Sequence, residues 1–377
     1  MDFLSLEEKE RYSRHLILPE FGMEGQMKLK KAKVLVVGAG GLGVPVLQYL
    51  VAVGVGFIGI ADADQVEITN LQRQVLYDTS DLGKPKVEVA ARKLKALNPH
   101  VELLPISKAV TIENAMDLVG QFDLVVDGSD NFTTRYLVND ACVLSGKPLV
   151  YASIFRFEGQ ASVFNLTNEH GEVGPNYRDL FPEPPPLGMV PDCAEGGVLG
   201  VLPGLLGCIQ ANEAIKVITG LGQSLAGRLF VLDALKFESR IFAIPKDPQN
   251  PLTGLNPTQF ELIDYDVFCG LEPAKMIEDT DYKTLKGNDL KKWMQDGFEF
   301  QWIDVREQEE QESSPFPAES MPLSMWEVHM SNISQTIPVV VMCQRGKRSV
   351  LAIRKFLDAG CKAEFYTLEG GASSLGS

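Results

Sequence analysis

Between residues 33 and 150, short runs rich in β-branched residues alternate with segments of helical pattern. The β-type runs are KVLVVG, GFIGIAD, VELLPIS, FDLVVDG and PLVYAS, and helical segments begin near Leu42, Pro85 and Asn131. Strands that alternate with helices form a parallel sheet with helices on both faces. Ligands of such sheets bind at the carboxyl ends of the strands. The residues that follow these strands are therefore the candidate site.

The pattern changes after Glu158, where GQASVFNL, RLFVLDAL and SRIFAI predict further strands around a proline-rich passage and one long apolar helix. The prolines of PNYRDLFPEPPPLG exclude helix and central strand and predict a surface loop. We predict a first domain over residues 1–245, a linker over 246–275 and a second domain over 276–377. The fold class is α/β: a Rossmann-like, doubly wound, mostly parallel sheet with an added antiparallel part, then a small α/β domain.

Composition limits the function and the location of the chain. The formal net charge of −15 opposes long-range attraction to nucleic acid and to anionic membranes. The amino terminus has no apolar run behind a basic start, so no secretory signal is predicted. The apolar stretch from Val198 to Gly220 contains Pro203 and Glu213, which favours a buried helix over a membrane span. Six cysteines without an export signal indicate free thiols in the cytoplasm.

A glycine-rich turn joins the first strand to the first of these helices. Its glycines let backbone N–H groups at the helix start approach phosphate oxygens closely. The next strand ends at Asp62, which is placed to accept hydrogen bonds from ribose hydroxyls. NAD and ATP share that ribose, so hydride transfer and nucleotide chemistry both stay open here. The turn, GAGGLG, contains Gly38, Gly40, Gly41 and Gly43.

Charged residues after the second and fourth strands favour chemistry at phosphorus. Arg73 and Lys86 are expected at the same sheet edge, where they would neutralise a triphosphate. Asp130 follows FDLVVDG and is the candidate ligand for Mg²⁺, with Asn131 beside it. Each residue taken alone could instead form a surface ion pair or a helix cap. Together with the glycine turn they predict a site for ATP and Mg²⁺.

These motifs, with NLQRQ, LGKPK and the opening ERYSRHLILPEFG, resemble the MoeB/ThiF group of ubiquitin-activating-enzyme-like adenylating proteins over residues 5–245. The resemblance implies a homodimer in which Arg14 reaches the terminal phosphates of the neighbouring subunit's site. It implies a partner that is a small ubiquitin-like sulfur carrier, whose C-terminal Gly-Gly tail threads under residues 170–195. The residues that each subunit would use in its own site are Gly41, Asp62, Asn70, Arg73, Lys86 and Asp130.

Two cysteine features of that group bear on this chain. Cys193, in PDCAEGGVLG, stands where some members form a covalent link to the carrier. A thiol at a helix start also has a lowered pKa. Relatives commonly bind a structural zinc through two CxxC pairs, but the corresponding residues here offer no thiolate or imidazole. We therefore predict no structural zinc. The four residues at those positions are Asn176, Asp179, Asn250 and Thr253.

Cys343 begins CQRGKRS, between the strand PVVVM and a helix. A short loop around one sulfur lets successive N–H groups stabilise a thiolate or persulfide. Over residues 276–377 the chain resembles a rhodanese domain, which implies a sulfur donor such as a persulfide enzyme or thiosulfate. The Cys-x4-Arg spacing favours sulfur over phosphate chemistry. The predicted sulfur loop comprises Cys343, Arg345, Gly346, Arg348 and Ser349, with positive charge from Arg345, Lys347 and Arg348.

The two resemblances together predict ATP-dependent adenylation of the carrier's terminal glycine, followed by sulfur transfer to a thiocarboxylate. In this scheme Arg14, Arg73, Lys86, Asp130, Cys193 and Cys343 are the candidate catalytic residues. Molybdopterin, thiamine and tRNA thiolation pathways all use such carriers, and these residues do not distinguish them. Two other classes stay open: a nicotinamide oxidoreductase with an appended domain, and a scaffold that binds carrier and donor without catalysis.

Overall fold

The structure is a computed structural model that describes residues 3–185, 197–270, 282–344 and 346–375. The chain divides into two compact units, Met1–Glu272 and Pro273–Ser377. In the first unit the described helices are α1 (Leu6–Arg11), α2 (Ser13–Leu16), α3 (Gly22–Lys31), α4 (Gly43–Val53), α5 (Lys86–Leu97), α6 (Ile112–Gly120), α7 (Phe132–Leu144), α8 (Tyr177–Leu180), α9 (Val201–Thr219) and α10 (Tyr265–Phe268).

One sheet organises the first unit, with strand order β3-β2-β1-β4-β5-β6-β7-β8. Strands β1 to β5 pair in parallel, and β6 to β8 continue the sheet antiparallel. The predicted mostly parallel sheet with an added antiparallel part is confirmed. The strands are β1 (Lys33–Val37), β2 (Phe57–Ala61), β3 (Glu102–Ile106), β4 (Leu124–Asp127), β5 (Leu149–Phe155), β6 (Glu158–Phe164), β7 (Arg228–Asp233) and β8 (Glu238–Ala243).

Strand β1 shows why the sheet is covered on both faces. Successive strand residues point to opposite sides. Val34 and Val36 therefore join one buried cluster, and Leu35 and Val37 join a second cluster on the other side. Both sets are apolar, so neither face can be left to water. The helices cover the two faces, and the carboxyl ends of β1, β2 and β4 remain at one edge.

The long apolar helix α9 belongs to the core of the first unit. By length and composition it could cross a membrane, but Leu202 and Leu206 pack into the cluster that contains α4. Two of its polar side chains are also buried and bonded. Gln210 Nε2 donates to the carbonyl of Asp127 at 2.7 Å, and Glu213 Oε2 accepts from the Leu225 N–H at 2.7 Å. Polar groups that are buried away from water need hydrogen-bond partners within the protein, and these contacts supply them.

The predicted linker, residues 246–275, is wrong over its described part. Residues 247–270 pack on the first unit, where Asn250, Leu252 and Tyr265 are buried. The hydroxyl of Tyr265 donates to Asp140 Oδ2 at 2.8 Å. The proline and glycine content correctly indicates loop, but a loop that buries side chains against a core is not a flexible spacer. Residues 271–275 lie outside the described residues.

The second unit has a separate, wholly parallel sheet of strand order β11-β10-β12-β13-β9. Its strands are β9 (Tyr282–Leu285), β10 (Gln301–Asp304), β11 (Glu319–Ser320), β12 (Val339–Met342) and β13 (Phe365–Leu368). Its described helices are α11 (Gly287–Gln295), α12 (Gln308–Ser313), α13 (Trp326–His329) and α14 (Lys347–Asp358). The predicted small α/β domain is confirmed as an α/β unit.

The four residues at the positions of the missing CxxC pairs meet in one hydrogen-bonded group, the Asn176 cluster (Asn176, Asp179, Asn250 and Thr253). Asn176 Nδ2 donates to Thr253 Oγ1 at 2.9 Å, and Asn250 Nδ2 donates to Asp179 Oδ1 at 2.9 Å. Asn250 Oδ1 accepts the N–H groups of Leu252 and Thr253. Amide and carboxylate groups thus join the two segments directly.

The Asn176 cluster predicts a fold that needs no metal. We expect no stoichiometric zinc in the purified protein and no change in its thermal unfolding midpoint on addition of EDTA. Asn250→Ala should lower the free energy of unfolding by about 2–3 kcal/mol, because buried partners lose their hydrogen bonds. Gln249→Ala, at the exposed neighbouring position, should change it by less than about 0.5 kcal/mol. One zinc ion per chain, or a midpoint that falls in EDTA, would contradict the prediction.

Candidate active sites

The glycine turn lies between β1 and α4 and presses against the turn that follows β4. Gly38 has φ +91°, and a Cβ there would lie 2.7 Å from the carbonyl oxygen of Gly128. A Cβ on Gly43 would lie 1.8 Å from the carbonyl oxygen of Gly38. Neither position accommodates a side chain without moving backbone. The close approach brings the glycine turn and the segment carrying Asp130 together, as the sequence predicts.

Two side chains hold the glycine turn at Ala39. Asp62 Oδ2 accepts from the Ala39 N–H at 2.7 Å, and the buried hydroxyl of Tyr77 donates to the Ala39 carbonyl at 2.8 Å. Burial raises the pKa of the Asp62 carboxyl, and the nearby Lys86 ammonium opposes part of that rise. Asp62 therefore orients the turn in addition to its predicted role toward ribose. Sequence reasoning missed Tyr77, which lies in an irregular segment with no periodic signal.

The two predicted cations lie around the same edge. The Arg73 side chain runs beside Gly41, where a Cβ would be 3.5 Å from Arg73 Cδ. Its Nη1 donates to the Thr69 carbonyl at 3.0 Å. Lys86, at the start of α5, is buried and places Nζ 2.8 Å from Asp64 Oδ2. The ion-pair alternative therefore holds for Lys86 in this structure.

The two predicted amides have local structural partners. Asn70 is buried, and its Oδ1 accepts the Glu67 N–H at 3.1 Å. Asn131 is the N-cap of α7, where its Oδ1 accepts the Thr134 N–H at 2.8 Å. Asn131 thus matches the helix-cap alternative. A cap at this point fixes the turn that precedes it.

Asp130 is the group at this edge that fits a magnesium ion. Its side chain is exposed and has no hydrogen-bond or salt-bridge partner among the described residues. Mg²⁺ in nucleotide sites takes one or two protein carboxylates together with phosphate oxygens and water. The described part of the chain contains no group of three or more potential metal ligands. One free carboxylate beside a glycine turn suits a metal that arrives with a triphosphate.

Beneath Asp130 lies a buried charged pair that sequence reasoning missed. Arg135 Nε is 3.8 Å from Asp127 Oδ2, and Arg135 Nη2 donates to the carbonyl of Ser129 at 3.2 Å. Burial raises the pKa of the Asp127 carboxyl, and Arg135 offsets part of the rise. Arg135 lies one turn into the helix after DGSDN. The pair supports the turn from below and leaves Asp130 facing solvent.

Arg14 lies apart from the glycine turn of its own chain. It is an exposed residue of α2. The neighbouring His15 bonds to Gln26, whose Nε2 donates to the carbonyl of Val53 at 2.7 Å. These contacts fix α2 at the C-terminal end of α4, and the glycine turn is at the N-terminal end. The 11 residues of α4 span about 16 Å.

The second predicted centre surrounds Cys343, which follows β12 and is buried. The N–H of Gly346 donates to Cys343 Sγ at 3.1 Å, and Ser349 Oγ lies 3.8 Å from the sulfur. Ser349 Oγ also donates to the carbonyl of Gly346 at 2.8 Å. The Gly346 N–H thus points at the sulfur, as a loop that stabilises a sulfur anion requires, while Ser349 Oγ accepts from the thiol. Arg345, the side chain of Lys347 and Cys193 lie outside the described residues.

The Arg348 guanidinium is paired with a carboxylate beside the sulfur loop. Arg348 Nη1 and Nη2 donate to the two carboxylate oxygens of Glu310 at 2.6 and 2.8 Å. Arg306 is similarly bidentate to Asp304, and its Nη1 contacts Gln344 beside the cysteine. Such two-point pairs are the strongest arginine contacts. That Arg348 adds positive charge around the loop stays a prediction, and in this structure its guanidinium is paired with Glu310.

A family model matches residues 12–252, and its description is ThiF family. The chain belongs to the ThiF family. A sulfur carrier protein adenylyltransferase of Thermus thermophilus is 56% identical over 70% of this chain and 98% of its own length. The probable adenylyltransferase/sulfurtransferase MoeZ of Mycobacterium tuberculosis is 45% identical over 98% of this chain and 93% of its own. The adenylyltransferase and sulfurtransferase MOCS3 of Sus scrofa is 42% identical over 93% and 81%.

These relatives confirm both resemblances and decide the kind of chemistry. MoeZ and MOCS3 match across the two units, so the chain is an adenylyltransferase fused to a sulfurtransferase. The chemistry is therefore adenylation, which needs ATP, and not hydride transfer. Escherichia coli MccB has a similar fold, with a TM-score of 0.55, 24% identity, and coverage of 65% of this chain and 73% of its own.

Proposed function

We propose that this ThiF-family enzyme adenylates the C-terminal glycine of a small ubiquitin-like sulfur carrier and then converts it to a thiocarboxylate. The observation that carries the proposal is the convergence of the glycine turn, Arg73, Lys86 and Asp130 at one sheet edge. The Thermus relative, which is named for a sulfur carrier, supports the choice of partner. The Gly-Gly ending of the carrier and its path under residues 170–195 rest on the family resemblance.

In the first step, the carrier's carboxylate attacks the α-phosphorus of ATP, and pyrophosphate leaves with the bonding electron pair. No protein nucleophile is needed. Arg73 and Lys86 neutralise phosphate charge, and Asp130 would hold Mg²⁺, which supplies further charge neutralisation when bound. Lys86 must exchange its contact with Asp64 for phosphate, and the exposure of Asp64 makes that exchange inexpensive. Positioning and electrostatics account for the rate enhancement.

A homodimer would complete this site through Arg14. The position of Arg14 at the far end of α4 supports its use by a neighbouring subunit in preference to its own. Ile17, Leu18 and Met23, which follow Arg14 in the chain, are exposed apolar residues. An apolar surface of this kind beside a functional arginine supports a subunit contact.

In the second step, the Cys343 thiolate takes a sulfur atom from a donor and becomes a persulfide. The terminal persulfide sulfur attacks the adenylated carbonyl, and AMP leaves with the electron pair. A second thiolate, for which Cys193 is the candidate, attacks the Cys343 sulfur and releases the carrier thiocarboxylate. This leaves a disulfide, which a thiol reductant must reduce with two electrons. Such chemistry belongs in a reducing cytoplasm, and molybdenum cofactor synthesis is the pathway we propose, with thiamine or tRNA thiolation as alternatives.

Asp130→Asn tests the first step. We expect carrier-dependent ATP–pyrophosphate exchange to fall by at least about 100-fold, because the variant loses the anionic ligand of Mg²⁺. The fold should be unchanged, since Asp130 is exposed. Asp117→Asn, an exposed carboxylate on α6, is the matched control and should exchange at the wild-type rate. Exchange by Asp130→Asn at that rate would exclude the assignment, and no exchange by the wild type with any carrier would favour a binding scaffold.

A further inference from the structure

The contact between Glu310 and Arg348 lies beside the sulfur loop, and each of the two residues is positioned by its own helix. Glu310 belongs to α12, and its Oε2 also accepts the N–H of Glu307 at 3.0 Å. Arg348 is the second residue of α14 and directly precedes Ser349, which contacts the Cys343 sulfur. The carboxylate is therefore fixed by a helix start, and the guanidinium has both of its terminal nitrogens engaged by it.

This contact cancels a positive charge close to the reacting sulfur. Burial alone would raise the pKa of the Glu310 carboxyl, but the hydrogen bonds from Arg348 and from Glu307 hold it below its usual range. Glu310 is thus ionised at neutral pH. The positive charge of the second arginine beside the loop, Arg306, is offset in the same way by the Asp304 carboxylate. Both described arginines around Cys343 consequently present little net charge to an approaching anion.

We propose that Glu310 is a specificity-determining residue that selects a protein-bound persulfide over thiosulfate as the sulfur donor. This inference rests on the proposed role of Cys343 as the sulfur-carrying thiolate. With thiosulfate, the thiolate attacks the outer sulfur, the S–S bond breaks, and sulfite leaves with the electron pair. A dianion must then approach an anion, so nearby positive charge matters greatly. A persulfide on a partner protein delivers its sulfur by the same displacement, with a thiolate leaving, and gains its affinity from the protein surface.

Glu310→Gln tests the proposal with little change of shape. Glutamine at this position can still accept the Glu307 N–H at the helix start and removes the negative charge that Glu310 places on Arg348. We expect single-turnover sulfite release from thiosulfate to rise about tenfold, and the gain to shrink in about 0.5 M KCl because salt screens charge. Loading of Cys343 from a persulfide-bearing cysteine desulfurase, measured by mass spectrometry, should be unchanged.

Two further variants separate the charge effect from a structural one. Glu312→Gln makes the same change at an exposed position of α12 and should leave both donors at the wild-type rate. The double variant Glu310→Gln with Arg348→Gln removes the released charge and should abolish the gain with thiosulfate. Equal changes with both donors, no change with thiosulfate, or a gain that persists in the double variant would overturn the proposal. Absence of a Cys343 persulfide in the wild type with either donor would overturn the sulfur-transfer step itself, and this inference with it.

Discussion

Cys343→Ala will retain ATP–pyrophosphate exchange at the wild-type rate and lose thiocarboxylate formation completely. The two activities separate because the glycine turn belongs to the first unit and Cys343 to the second. Adenylation uses the carrier's own carboxylate, so removal of a thiol in the other unit leaves it intact. Exchange is measured with labelled pyrophosphate, and the thiocarboxylate is detected as an oxygen-to-sulfur mass change on the carrier.

Cys361→Ala is the matched control for that experiment. Cys361 is another buried cysteine of the second unit, and its sulfur accepts a hydrogen bond from Gln335. This variant should form the thiocarboxylate at close to the wild-type rate. Loss of both activities in Cys343→Ala, or thiocarboxylate formation without Cys343, would refute the division of labour between the units.

Arg178→Met will lower the free energy of unfolding of the first unit by about 3–5 kcal/mol. The Arg178 guanidinium makes a buried bidentate pair with Asp140, with the shortest contact at 2.7 Å. Tyr265 and Gln259 also donate to Asp140 Oδ2, each at 2.8 Å. Removal of the arginine leaves a buried carboxylate without its counter-charge. Methionine preserves most of the side-chain volume, so the loss reports on charge more than on packing.

Urea unfolding monitored by circular dichroism measures this loss as a lower midpoint at an unchanged slope. Arg240→Met serves as the control, because Arg240 is exposed and its contact with Glu238 is 3.8 Å long. That change should cost less than about 0.5 kcal/mol. A similar, small loss in both variants would show that the Asp140 group tolerates an uncompensated charge and that the pair adds little to stability.

The parts of the fold that the sequence predicts are those set by local pattern. Valine-rich runs and helix-length connections determine the parallel sheet, and α5 begins at Lys86, one residue from the predicted start. The glycine turn is recognisable because its steric requirement is local: only glycine fits at Gly38 and Gly43. Asp130 could be placed for the same reason, since it comes three residues after the end of β4.

Contacts between distant residues explain the features that the sequence did not predict. Glu310 and Arg348 are 38 positions apart, and Tyr265 and Asp140 are 125 apart. The residues around Arg348 in the sequence do not indicate that its guanidinium forms an ion pair with Glu310. The segment over residues 247–270 has the composition of a spacer, and only its distant partners reveal it as part of the core. Tyr77 was missed for the same reason, because its partner is the backbone of Ala39.

The Asn176 cluster has a consequence for the conditions under which this enzyme can be made. Its four side chains come from asparagine, aspartate and threonine, which peroxide does not attack and which, on our prediction that they bind no zinc, require no metallation after synthesis. Joining these two segments therefore competes with no other protein for a scarce ion. Cells starved of zinc or exposed to oxidants would still assemble this corner of the molecule, whereas a thiolate-bound version would be lost under either stress.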